Sequence, residues 1–268
     1  MKEADREGYL ERYPSLRLIG HTPLFEVRVF AERFPGAKVW AKAEWFNPGG
    51  SIKDRPVLRM LLEAHAAGEL ASGRTVIDSS SGNAGIAYSM IGAVLGVPVE
   101  LVVPGNASQE RVKRIRAHGA RLVQTDPLEG YDAALREAHR RHHDDPGRYY
   151  MPDQYANEHN WRAHYETTAA EILEQTGGEF THFVAGVGTG GAITGVGRRL
   201  KEAGPYQVVS IRPESFPGIE GLKPLENPED VVPAIYDDSV VDWKTKVSSE
   251  AAYDLCREMA RRHGVFVG

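Results

Sequence analysis

From Thr75 onward the chain alternates short apolar runs with longer amphipathic ones, in the order TVIDS, AGIAYSMIGAVLG, VELVV, SQERVKRIRAHG, ARLVQT and GYDAALREAHRR. The short runs, rich in Val and Ile, read as strands, and the longer ones repeat their apolar residues at helical spacing. A strand that is followed by a helix before the next strand lies parallel to it, and parallel strands need cover on both faces. The pattern predicts an α/β fold with mostly parallel sheets between helical layers.

Upstream, a turn at GHTPL leads to a strand candidate over 38–44, a glycine turn and a helix over 55–70. A second series starts after Met151 with helix HNWRAHYETTAAEILEQTG, strand THFVAGV, helix GGAITGVGRRLKEAG and strand VVSIRPE. Residues 215–242 keep Ile, Leu, Val and Tyr, so they read as functional loops plus a short strand rather than a linker. The last helix runs into GVFVG, read as an apolar strand. A strand at the end of a chain leaves an edge to be covered, so further C-terminal sequence is expected.

The 268 residues carry a formal charge of -5 with both signs interspersed, which gives no cationic stripe for nucleic acid and no polybasic membrane anchor. The single Cys256, on a helix face, excludes an internal disulfide framework and a Cys-rich metal site. The opening MKEADREGYLERYP is charged and lacks an apolar leader, and no apolar run is long enough to span a bilayer. These features point to a cytoplasmic chain with a small-molecule partner and no resident metal. His142, His143, Asp144 and Asp145 read as a solvated helix end, no HExxH spans Glu158 to Glu166, and Tyr149, Tyr150 and Trp161 read as structural cover.

Three glycine-bearing loops carry the chemistry. In NPGGSIKDR, Gly49 and Gly50 permit close backbone geometry, Ser51 can donate to an anion, and Lys53 can attack an aldehyde when its amine is neutral. Lys42, in the preceding strand candidate, is the rival lysine and reads as a solvent-facing one. In SSSGNAG, Ser79, Ser80, Ser81, Gly82 and Asn83 stand between a strand and a helix, where amides and hydroxyls can surround a carboxylate or cap the helix. In GVGTGGA, Gly188, Thr189, Gly190 and Gly191 open a helix at Ala192 and form an anion cup. No GK[ST] follows, so the loop lacks the parts of an ATPase, and its GxGxxG comes without the acidic strand end of a dinucleotide site.

In this order GHTPL, NPGGSIKDR, SGNAG, DQYAN and GTGGA resemble the cysteine synthase and cystathionine β-synthase group of pyridoxal-phosphate enzymes over nearly the whole chain. The resemblance implies two three-layer α/β/α domains with pyridoxal 5'-phosphate in the interdomain cleft. A smaller, mobile domain over 46–150 would carry the substrate-carboxylate loop, and 1–45 plus 151–268 would form a larger domain carrying the phosphate loop. It also implies that Lys53 forms the imine and moves the proton, that Asn83 contacts the phenolic oxygen, and that Gly188, Thr189, Gly190, Gly191 and Ala192 bind phosphate. Ser80, Ser81, Asn83, Ala84 and Gln154 would bind the substrate carboxylate.

The implied reaction, in a homodimer, replaces the O-acetyl group of O-acetyl-L-serine by sulfide through an aminoacrylate, giving L-cysteine and acetate. O-phosphoserine as donor and homocysteine as acceptor are the enzymatic alternatives, with Arg198, Arg212 and Lys223 as candidate contacts to a leaving phosphate. A ligand-binding regulatory protein is the non-enzymatic one. The chain departs from the family at His21, where asparagine is usual, and at Ala84 and Ala192, where threonine is usual. The family's serine opposite the pyridine nitrogen belongs to a segment that follows the strand resembling GVFVG.

Overall fold

A computed structural model describes residues 3–226 and 230–267. The chain starts with α1 (Glu3–Arg12), strands β1 (Leu24–Val27) and β2 (Val39–Lys42), and α2 (Asp54–Ala66). It continues through β3 (Thr75–Asp78), α3 (Asn83–Leu95), β4 (Val99–Pro104), α4 (Gln109–Ala117), β5 (Arg121–Thr125), α5 (Gly130–Asp144) and β6 (Tyr149–Tyr150). The second half is α6 (Glu158–Ala163), α7 (Ala169–Thr176), β7 (His182–Gly186), α8 (Gly191–Ala203), β8 (Gln207–Pro213), β9 (Trp243–Val247) and α9 (Ser249–His263).

These elements form two compact units, one of Met1–His21 with Glu44–Asn160 and one of Thr22–Ala43 with Trp161–Gly268. The expected boundaries differ from this division at residues 1–21, 44–45 and 151–160, which belong to the first unit. Burial explains the N-terminal part, because Leu10, Leu16 and Ile19 join one apolar cluster with Leu58, Leu61 and Ile91.

In the first unit the strand order is β5-β4-β3-β6, all parallel. Alternation along the strands sorts the core into two layers: Val76, Leu101 and Val103 pack with residues of α2 and α3, whereas Ile77 and Val102 pack with Ala134 and Ala138 of α5. The chain moves outward from β3 to β4 and β5, then returns to β6 on the other side of β3. The loops after β3 and β6 therefore diverge at a topological switch point, where open parallel sheets bind ligands.

In the second unit β7, β8 and β9 form a parallel sheet, and β1 pairs antiparallel with β2. Val196 and Leu200 of α8 pack with Ala169 and Ile172 of α7. The helix expected over 159–177 is interrupted by a π-helical turn at His164–Thr168. Thr167 Oγ1 donates to the Ala163 carbonyl at 2.7 Å there, a side-chain bond that competes with the regular ladder. Among the described residues of 215–242 there is one short 3-10 turn, Asp238–Val240, and the expected strand lies just beyond, as β9. Residues 264–267 form no strand, since no ladder pairs with them, and Phe266 is 87% exposed. Among the described residues no helix is long and apolar enough to cross a membrane.

Candidate active site

Lys53 ends the glycine turn at the N-terminus of α2, with helical backbone angles and its N–H donating to Ser51 Oγ at 3.1 Å. Asn47 braces this turn. Its Nδ2 donates to the Ser51 carbonyl at 3.1 Å and its Oδ1 accepts from the Gly20 N–H at 2.8 Å, while the Gly50 N–H donates to the Asn47 carbonyl at 2.7 Å. Arg55, buried, forms a two-point pair with Glu44, Nε to Oε2 at 2.8 Å and Nη2 to Oε1 at 2.9 Å. Burial holds the Lys53 amine below the ordinary lysine range, which raises its neutral, nucleophilic fraction at a given pH.

Lys42 is in a different situation. Its Nζ donates to the Thr22 carbonyl at 2.6 Å, Thr22 Oγ1 at 2.8 Å and Glu171 Oε2 at 2.6 Å. It faces the interior of the second unit, not the solvent that its strand position predicted, because Glu171 on α7 supplies the compensating charge. An amine committed to three acceptors is a strut. His21 takes a left-handed backbone, φ 48°, and is exposed. Asn and His both tolerate that region better than most residues, which accounts for histidine at this position on backbone grounds.

The serine loop leaves the carboxyl end of β3. Ser80 Oγ accepts the Gly85 N–H at 3.1 Å and so caps α3, while its own hydroxyl hydrogen can still be donated. Asn83 is exposed, and Ser81 half-buried. The amides of Asn83 and Ala84, in the first turn of α3, have no intrahelical acceptor and stand at the positive end of the helix. Behind them Asp78 is buried and accepts the Ser79 N–H at 2.6 Å, and burial pushes its carboxyl up to about 6. Gln154, 6% exposed, follows β6 and accepts at its carbonyl from Asn160 Nδ2 at 2.7 Å. The first unit thus gathers Lys53, Ser80, Ser81, Asn83, Ala84 and Gln154, with the serine and glutamine loops on either side of the β3/β6 switch point.

The second unit holds Gly188, Thr189 and Gly190 after β7 and Gly191 and Ala192 as the first residues of α8. Gly190 has φ +83°, and a Cβ there would come within 2.8 Å of Tyr236 Cβ, so glycine is required on both backbone and steric grounds. Thr189 is 7% exposed, and its Oγ1 accepts the Gly191 N–H at 3.4 Å. Tyr236 is fixed from behind by the Asp237 N–H, which donates to Thr194 Oγ1 at 2.9 Å, and by the Asp237 carboxylate on Arg198 Nη2 at 2.7 Å. The glycine-rich turn at the head of α8, with the Thr189 hydroxyl, fits a phosphate, and the Lys53 amine fits an aldehyde.

Sequence reasoning missed Asp54, Asp78, Arg114 and Tyr236. Asp54 and Asp78 stand inside or beside the quoted motifs and carried no periodic signal of burial, while Arg114 and Tyr236 lie far along the chain from the loops they touch.

Residues 16–268 match the family described as pyridoxal-phosphate dependent enzyme. A cysteine synthase of Aquifex aeolicus is 49% identical over 99% of this chain and 82% of its own length. The crystal structure of a cysteine synthase from Entamoeba histolytica superposes with a TM-score of 0.89 at 33% identity, covering 95% of this chain and 78% of that one. An O-ureido-L-serine synthase structure gives a TM-score of 0.86 at 36% identity, over 95% of this chain and 81% of that one. With the match running through the lysine turn, the serine loop and the glycine loop alike, the chain belongs to the family of pyridoxal-phosphate dependent enzymes.

Proposed function

We propose that this chain is a cysteine synthase that replaces the O-acetyl group of O-acetyl-L-serine by sulfide, breaking the Cβ–O bond, and releases L-cysteine and acetate. The observation that carries the reading is 49% identity to a cysteine synthase across 99% of the chain. Lys53, half-buried and with its amine held below the ordinary lysine range by desolvation, supports it.

Pyridoxal phosphate, when bound, supplies the electron sink for the pair left at the amino acid Cα after proton loss. The chain's residues do the rest. Gly188, Thr189, Gly190, Gly191 and Ala192 would hold the phosphate with amides and one hydroxyl, and Asn83 would donate to the phenolic oxygen. Lys53 would hold the aldehyde. The free Lys53 amine would remove the Cα proton and return it once acetate has left Cβ and sulfur has added there. Ser80, Ser81, Ala84 and Gln154 orient the substrate carboxylate so that the Cα–H bond meets Lys53.

An acetyl ester, uncharged until it departs as acetate, suits the committed guanidiniums of the second unit. A leaving phosphate would call for an uncommitted guanidinium, yet Arg198 pairs with Asp237 and Arg212 Nη1 donates to the Leu225 carbonyl at 2.7 Å. We place the enzyme in the cytoplasm as a homodimer, by family resemblance, and sedimentation at equilibrium tests the dimer.

The deciding experiment mixes purified chain with pyridoxal phosphate, follows the absorbance of the lysine-linked cofactor, then adds O-acetylserine and sulfide and assays cysteine. Cysteine from the wild type, with absorbance and turnover both lost in Lys53→Ala, is the expected result. Turnover that survives Lys53→Ala refutes the assignment. Linked cofactor with product only from an oxygen nucleophile such as a hydroxyurea moves the reading to the O-ureido-L-serine synthase type.

A further inference from the structure

The peptide group of Gly49 is gripped at both ends. Its N–H donates to Asp54 Oδ2 at 2.5 Å, and the Gly49 carbonyl accepts from Arg114 Nη2 at 3.2 Å. Asp54 stands in the first turn of α2, beside Lys53, whereas Arg114 reaches over from α4, 65 residues along the chain. A Cβ on Gly49 would collide with the Asp54 carboxylate, so that carboxylate already fills the side-chain space. Arg114 also passes close to Gly50, where a Cβ would meet its Nη1 at 3.6 Å. Two consecutive glycines are the loosest backbone a turn can have, and here the loose pair immediately precedes Ser51, Ile52 and Lys53.

We propose that Arg114 is a positioning residue for Lys53: by holding the Gly49 carbonyl it fixes the turn that presents the Lys53 amine. The inference rests on the reading of Lys53 as the residue that links to pyridoxal phosphate. In that condensation the amine nitrogen and the aldehyde carbon form a C=N bond and the carbonyl oxygen leaves as water. Its rate depends on how narrowly the amine is aimed. A guanidinium suits the task, since its planar fork stays charged at every accessible pH and gives the carbonyl a charge-assisted partner.

The test follows the growth of lysine-linked absorbance when cofactor-free full chain is mixed with pyridoxal phosphate, in the wild type, Arg114→Ala, Arg114→Lys and Lys53→Ala. Arg114→Ala is expected to slow linkage about tenfold, the effect of one lost hydrogen bond to a charged group, with partial rescue by Arg114→Lys. Equal rates in the wild type and Arg114→Ala overturn the proposal. So does a lowered melting temperature with an unchanged rate, which would leave Arg114 a strut of α4 only. If Arg114→Ala fails to fold, Arg114→Lys decides: a rate below that of the wild type sustains the proposal and an equal rate ends it. Absence of any Lys53-dependent absorbance in the wild type overturns the cofactor reading along with this inference, whereas absorbance without an Arg114 effect overturns this inference alone.

Discussion

Asp78 bears a charge where burial opposes one. Its carboxyl lies at the end of β3, accepts the Ser79 N–H, and is pushed from 3.8 to about 6 by burial, with Tyr88 and Asp153 beside it. A folded-state value above the unfolded one means that the folded chain binds the extra proton between about pH 4 and 6. Stability contributed by this group is therefore greatest below pH 4, declines as pH rises through 6, and stays low above it. The shift of about two units corresponds to a cost on the order of 3 kcal/mol at neutral pH. Asparagine keeps the acceptor for Ser79 and removes the charge. Asp78→Asn is expected to resist urea at least as well as the wild type at pH 7.5, with that advantage shrinking toward pH 4. A variant much weaker than the wild type at pH 7.5 contradicts this account. None of this was legible in TVIDS, because the strand pattern gives the face of a residue but not whether a charge on it is desolvated. Lys53 stood out only in company, because a lysine after a PGGS turn reads by itself as solvent-facing and it was the serine and glycine loops that gave it a ligand.

Among elements, the parallel βα steps were readable because each strand and helix carries its own period. The antiparallel partner β1 was not, since LFEV has four residues, takes no clear alternation, and gains its identity from pairing with β2. The same pairing brings Lys42 to Glu171. Both side chains are at most 10% exposed, and removal of one partner leaves the other charge buried. Lys42→Met is expected to lower unfolding free energy by roughly 3 to 5 kcal/mol, measured by urea titration, while leaving the lysine-linked cofactor absorbance in place. Loss of that absorbance in a folded Lys42→Met protein would return Lys42 to candidacy as the nucleophile. The two lysines, eleven positions apart, are separated in role by their surroundings: one meets a carboxylate, the other a desolvated turn with no acid among the causes of its shift.

At the scale of the whole molecule, each unit has its own apolar core, so each has the means to unfold as a cooperative block. The site loops were legible one at a time from glycine and serine spacing, but their allocation to units was not, because residues 1–21 and 22–43 go to different units without any break in composition. If Lys53 and Thr189 act on the same cofactor molecule, as proposed, then that one ligand bears on the stability of both blocks. Ligand at about a hundred times its dissociation constant adds about 2.7 kcal/mol to the folded state, on the order of 5 °C for a chain of this length. Calorimetry with saturating pyridoxal phosphate should therefore raise and sharpen the melting of both blocks together. Thr189→Val removes one hydroxyl from the phosphate loop and should weaken retention about tenfold, reducing the shift at fixed cofactor concentration in both blocks. Lys53→Ala should reduce it in both as well, although the substitution lies in the first unit alone. A transition that moves with cofactor in one block while the other stays fixed would mean that only one unit holds it, and the pairing of Lys53 with the Thr189 loop would fall.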